Sequence, residues 1–196
     1  MKLDLNKTEN WNPQDHWTRI KTLDAHTGGE PLRIILSGYP HLPGATILTK
    51  RRYATDNYEH IRKALMWEPR GHADMYGCIL TEPVTKEADF GVLFIHNEGF
   101  STMCGHAIIA LTKVMIETGA FPATEPETVI KIDAPPGLVT AYARVDKGKV
   151  KRVYFRSVPA FVLTQDEIVD VPGLGKIRYD IAYGGASVSY THLRPH

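Results

Sequence analysis

Cysteine is scarce in this chain, with only Cys78 and Cys104 among 196 residues. Two cysteines cannot build a disulfide framework, and neither has the close Cys/His spacing of a structural zinc site, so both are read as free thiols. Long apolar runs are also missing. Nothing is long enough to span a bilayer, and Met1 to Ile20 is too polar for a signal peptide, so the expected compartment is the cytosol. Charge of one sign is not in excess, since 23 Lys+Arg stand against 22 Asp+Glu. That balance excludes a broadly basic nucleic-acid surface, and Lys50-Arg51-Arg52 is read as a solvated loop or strand end. Internal repeats, heptads and low-complexity tracts are absent. What remains is an ordinary globular composition, 43% hydrophobic.

Within that ordinary background, Asn97-Glu98-Gly99-Phe100-Ser101-Thr102-Met103-Cys104-Gly105-His106-Ala107-Ile108-Ile109-Ala110-Leu111 is chemically unusual. It sets Cys104 where an apolar strand gives way to an apolar helix. Unpaired N–H groups and the positive end of the helix dipole favour thiolate over thiol there. The same N–H groups, from Gly105 and His106 onward, form a ready carboxylate site. A base beside an anion holder points to proton abstraction next to a carboxylate. A free cysteine is equally at home as a small core residue, and His106 could cap the helix or face water. Cys78, in the apolar run Met75 to Leu80, is assigned burial and no chemistry. No metal site is expected, because His26, Glu30, His96 and His106 lack a helical ligand spacing.

The pattern along the chain predicts strands over Arg19 to Ala25, Leu32 to Ser37, the run through Cys78, and Phe90 to His96. Further strands are expected over Thr128 to Ala134, Leu138 to Val145, Val150 to Phe155 and Phe161 to Thr164, with a hairpin loop at Asp146 to Lys149. A short helix is expected over Tyr58 to Trp67, with Arg62 and Lys63 outward and Pro69 as its stop. Cys104 to Gly119 reads as a core helix of about four turns. Strands around a central helix argue for an α+β fold. His26-Thr27-Gly28-Gly29-Glu30-Pro31 must be a tight connection, in which His26 and Glu30 are given turn hydrogen bonds before any role toward substrate. His72 and Asp74 are open between a loop role and a polar network under the site.

Four segments carry a resemblance: Asp24 to Arg33 (DAHTGGEPLR), Arg70 to Gly77 (RGHADMYG), Met103 to His106 (MCGH) and Asp180 to Gly185 (DIAYGG). In this order they resemble the N-terminal half of the proline racemase family. Lys50-Arg51-Arg52-Tyr53, Trp67-Glu68-Pro69-Arg70 and Ser157 to Leu163 look most like its animal trans-3-hydroxy-L-proline dehydratase branch.

The resemblance implies an enzyme without cofactor or metal, made of two lobes of the diaminopimelate epimerase type. Each lobe is a curved, mostly antiparallel sheet around a central helix, with a small imino acid bound between the two. By the same resemblance, Cys104 is the base that takes the Cα proton, and the Gly105 and His106 N–H groups hold the substrate carboxylate. Loss of the 3-hydroxyl would then give Δ1-pyrroline-2-carboxylate. Proline racemase or 4-hydroxyproline 2-epimerase activity is the alternative, set by a second residue, Cys or Thr, after an Asp-Arg-Ser-Pro segment on the other lobe. The resemblance allows a homodimer and implies neither a nucleic-acid nor a membrane partner. Residues 1–18 are expected to be a polar leader, 19–186 an incomplete N-terminal lobe, and 187–196 a tail foreign to the family pattern. Tyr183-Gly184-Gly185 is expected to turn the chain between lobes. A chain so constituted is expected to be a non-catalytic fragment when alone, with apolar surface exposed.

Overall fold

Neighbouring apolar residues in the central strands point to opposite faces of the sheet, and both faces need cover. A computed structural model describes residues 4–190. After a four-residue helix α1 (Asn6–Glu9) with no buried residue come β1 (Lys21–Thr27), β2 (Glu30–Ser37), α2 (Ile47–Met66), β3 (Tyr76–Thr81), β4 (Phe90–His96) and the two-residue β5 (Phe100–Ser101). Helix α3 (Gly105–Glu117) follows, then β6 (Glu127–Ala134), β7 (Gly137–Asp146) and β8 (Lys149–Arg156). The main sheet runs β1-β2-β3-β4-β6-β7-β8, with β5 on β4. Only the β2–β3 and β4–β6 pairs are parallel, so the sheet is mostly antiparallel.

Helix α3 packs on β1 and β2 near one edge and on β7 and β8 at the other, so the sheet curls around it. Leu32, Ile34, Cys78, Val92 and Phe94 turn toward α3 and pack with Ala107, Ile108 and Leu111. The alternate residues Ile35, Ile79, Leu93 and Ile95 turn the other way and are covered from α2 by Ile61, Leu65 and Met66. Each fully buried leucine or isoleucine in these layers contributes about 1.5–3 kcal/mol relative to exposure. The α+β architecture with a sheet around a central helix is therefore present, and Cys78, with no exposed surface, is a core residue.

Helix α2 is the main departure from expectation. It begins at Ile47, eleven residues before the predicted start, on a reciprocal Thr46–Thr49 cap, and bends at Tyr58 where φ is −124°. Its first half hides from a periodicity search because, after Ile47, its buried positions are Lys50 and Ala54 rather than large apolar residues. Lys50-Arg51-Arg52 is thus helical, not a loop. Lys50 is buried with Nζ directed at the Glu82 carbonyl, and Arg51 reaches the Phe100 carbonyl. Arg62 points inward instead of outward, 2% exposed, paired with Glu59 and donating to the His96 and Asn97 carbonyls.

Past β8 the chain leaves the main sheet. Strands β9 (Phe161–Val171), β10 (Gly175–Tyr183) and β11 (Ser187–Tyr190) form a separate antiparallel sheet. Strand β9 runs well past Thr164, and β10 lies where no strand was expected, because polar residues break the apolar pattern there. Tyr183-Gly184-Gly185 turns β10 into β11 within this sheet. Of the expected foreign tail, residues 191–196 lie outside the described residues.

Candidate active site

Cys104 caps α3 at its N-terminus in extended conformation, φ −145° and ψ 102°, and contributes no side-chain hydrogen bond as a cap. Helix α3 itself starts at Gly105. Its first N–H groups, those of Gly105 and His106 included, have no acceptor within the helix. The Cys104 Sγ lies 3.4 Å from His106 Nδ1 and 3.5 Å from His106 Nε2.

The β1–β2 turn fastens the helix start from the side. Thr27 Oγ1 donates to the His106 carbonyl at 2.9 Å, and His106 Nε2 faces the Pro31 carbonyl at 3.3 Å. Gly29 N–H donates to His26 Nδ1 at 3.3 Å, so His26 has the turn role expected of it. The segment from Asp24 to Arg33 is also tied to the one from Arg70 to Gly77. Arg33 makes a two-pronged contact with Asp24, at 2.9 and 2.7 Å, and donates to the Leu65 and Arg70 carbonyls. Gly77 sits directly across from Arg33, where an added Cβ would meet the Arg33 carbonyl oxygen at 2.9 Å. The fourth segment arrives from the second sheet, with Gly185 packed against Met103, next to the cysteine.

Tyr76 links this helix start to a cleft of about 470 Å³ lined by Glu30, Trp67, Asp74, Tyr76, His96 and Glu98, among others. Its ring stands edge-on to His106, centroids 5.0 Å apart, and stacks on His96 at 5.2 Å. Cys104 does not itself line that cleft; only 5% of it is exposed. Asp74 and Glu30 are cleft residues, whereas His72 serves the loop by accepting from Asn97 through its carbonyl. Among the described residues no group of three or more His, Cys, Asp or Glu is arranged to hold a metal ion.

The expected preference for thiolate is reversed in this structure. Burial pushes the Cys104 thiol up to about 11; the Ala107 backbone N–H pulls it down, and the Glu30 charge adds to the rise. Withdrawing the sulfur from water therefore outweighs the helix terminus. Burial likewise raises the Tyr76 phenol, and a Cys104 thiolate would raise it further, while it holds His96 below the ordinary imidazole range. Sequence reasoning missed Thr27, Pro31 and Tyr76 as neighbours of the cysteine. Their residue types carry no chemical signature, and only the β1–β2 turn and β3 bring them to α3.

A family model described as proline racemase matches residues 22–194, across all four segments. The chain belongs to the proline racemase family. Among members of the proline racemase family, it is 53% identical over 172 residues to a trans-L-3-hydroxyproline dehydratase of Xenopus tropicalis, covering 87% of this chain and 49% of that protein. It is 49% identical over 176 residues to a 3-hydroxyproline 2-epimerase of Burkholderia multivorans, covering 90% and 52%. The fold is that of a solved hydroxyproline epimerase from Agrobacterium vitis with bound trans-4-hydroxy-L-proline: TM-score 0.79 and 28% identity, covering 87% of this chain and 50% of that one. The chain thus spans about half the length of the proline racemase relatives it matches.

Proposed function

We propose that this chain is the proton-abstracting half of a cofactor-independent trans-3-hydroxy-L-proline dehydratase. The observation that carries the reading is Cys104 at the start of α3, beside the Gly105 and His106 N–H groups, in a chain 53% identical to a frog enzyme of that name. The N–H groups hold the imino acid's carboxylate, which places Cα against the sulfur. The Cys104 thiolate takes the Cα proton, the 3-hydroxyl departs, and the enamine tautomerises to Δ1-pyrroline-2-carboxylate. A second lobe closes over the substrate and excludes water, so the 196-residue chain alone does not turn over. Two free thiols and a small imino acid substrate fit a cytoplasmic enzyme, with a homodimer of two-lobed subunits as its assembly.

A 2-epimerase is the second reading, favoured by the 49% identity to the Burkholderia protein. Inversion needs an acid on the face opposite the base, whereas elimination needs one base and a leaving group. Sequencing the source transcript onward from the Ala186 codon separates the two. A threonine after the Asp-Arg-Ser-Pro segment supports the dehydratase, and a cysteine there points to the epimerase. In the two-lobed protein, Cys104→Ala is expected to cut formation of pyrroline carboxylate by ~10³-fold or more, in the range general-base catalysis supplies. Undiminished turnover in that variant removes Cys104 from the mechanism.

A further inference from the structure

We propose that the His106 imidazole is the proton partner of Cys104, taking the thiol proton as the thiolate forms and handing a proton to the departing 3-hydroxyl. The proposal rests on the dehydratase reading for its second step and on geometry alone for its first. His106 Nε2 faces the Pro31 carbonyl at 3.3 Å, and a carbonyl can only accept. The hydrogen of the neutral ring therefore sits on Nε2, and Nδ1 keeps its lone pair. The Cys104 sulfur lies 3.4 Å from Nδ1 and 3.5 Å from Nε2, and of the two nitrogens Nδ1 is the one left free by the Pro31 contact. Thr27, bonded to the His106 carbonyl, holds the backbone from which the ring projects.

A lone thiolate in a site 5% open to water is costly. Passing the proton to Nδ1 makes a thiolate–imidazolium pair with no net charge, so burial opposes it far less than it opposes the isolated anion. Of the surrounding groups, Glu30, from β2, opposes an unpaired thiolate. Tyr76, from β3, sets its ring edge-on to His106, with His96 of β4 stacked on it. Cys78, also on β3, is a fully buried neutral thiol, and α3 has no acidic residue in its first turn.

The substrate's stereochemistry asks for this arrangement. In trans-3-hydroxy-L-proline the carboxylate and hydroxyl lie on opposite ring faces, so the Cα hydrogen and the hydroxyl share one face. Base and acid are then needed on the same side, and Cys104 and His106 stand together on one lobe. The protons balance. The thiol proton moves to Nδ1, the thiolate takes the Cα proton and becomes thiol again, the C3–O bond breaks as the Cα–C3 double bond forms, and the imidazolium gives its proton to the leaving hydroxide. One water departs, and both side chains return to their starting states.

The first step is tested in this chain by peptide-resolved iodoacetamide labelling of Cys104 across pH 5 to 11, in wild type and His106→Gln. A paired thiol gives two steps in rate against pH and an isolated thiol a single one. The glutamine variant should keep only the upper step and label about tenfold more slowly at pH 7. Identical profiles overturn the pair. Continued protection of Cys78 checks that the variant is folded, and the ultraviolet absorbance of the Cys104 thiolate gives a readout independent of labelling: it should be lost at pH 7 in His106→Gln, and unchanged absorbance overturns the proposal. For the second step, His106→Gln in the two-lobed protein should lower elimination more than exchange of the Cα hydrogen with solvent. Equal loss of both overturns the acid role. Labelling reads the pair and product formation reads the dehydratase, so failure of one is distinguishable from failure of the other.

Discussion

Thr27 and His106 are 79 residues apart in sequence, yet the Thr27 hydroxyl donates to the His106 carbonyl at 2.9 Å and fastens the β1–β2 turn to the first turn of α3. Replacing Thr27 with valine keeps the shape and removes the donor. One such bond contributes about 1 kcal/mol, so urea unfolding of Thr27→Val should show a loss near that size. An unchanged midpoint would mean that the turn is held by its other contacts.

The Asp24–Arg33 pair should make stability depend on acid. Hydrogen bonding from Arg33 holds the Asp24 carboxyl below its ordinary value. Its contribution is therefore complete above the unfolded pKa of about 3.9 and is lost as pH falls through the lower folded value. Asp24 is 52% exposed on its side chain, which limits the pair to on the order of 1 kcal/mol. Wild type should exceed Asp24→Asn by that amount at pH 7, and the difference should close below about pH 4. Curves that stay parallel down to pH 2.5 contradict the assignment.

The two thiols should differ in reactivity. Both are raised by burial, but Cys78 has no exposed surface, whereas Cys104 retains some and meets the Ala107 N–H. Mass spectrometry after limited alkylation at pH 8 should find Cys104 labelled first and Cys78 only on unfolding. Equal, slow labelling would make Cys104 an inert core thiol.

The second sheet leaves Phe161, Leu163, Ile168 and Leu174 between 53% and 75% exposed. Apolar surface of this kind promotes association. Leu163→Lys combined with Ile168→Lys should reduce light scattering of concentrated protein and change urea stability by no more than about 0.5 kcal/mol per site, as surface changes do. Scattering that persists at wild-type levels locates the sticky surface elsewhere.

Legibility from sequence followed how local the cause was. Helix α3, strand β4 and the Asp146–Lys149 hairpin could be read because their apolar spacing and flanking turn residues state the period directly. The first half of α2 could not, because its buried face beyond Ile47 is Lys50 and Ala54, and tertiary acceptors such as the Glu82 carbonyl supply the reason for burying a lysine. The inward turn of Arg62 has the same origin in the carbonyls of His96 and Asn97.

The sequence by itself determined that a cysteine opens an apolar helix followed by Gly105 and His106, that the sheet alternates around that helix, and that the four segments belong together. These are short-range facts of spacing and side-chain type. The tertiary structure alone decided what surrounds the sulfur. It set His106 at hydrogen-bonding distance, gave Pro31 and Thr27 the task of fixing that histidine, and buried the thiol deeply enough to raise its pKa. A helix terminus acts on its first residue through adjacent peptide groups, so its pull is written in local sequence; desolvation sums over every neighbour the fold brings in, and only the assembled sheet supplies them.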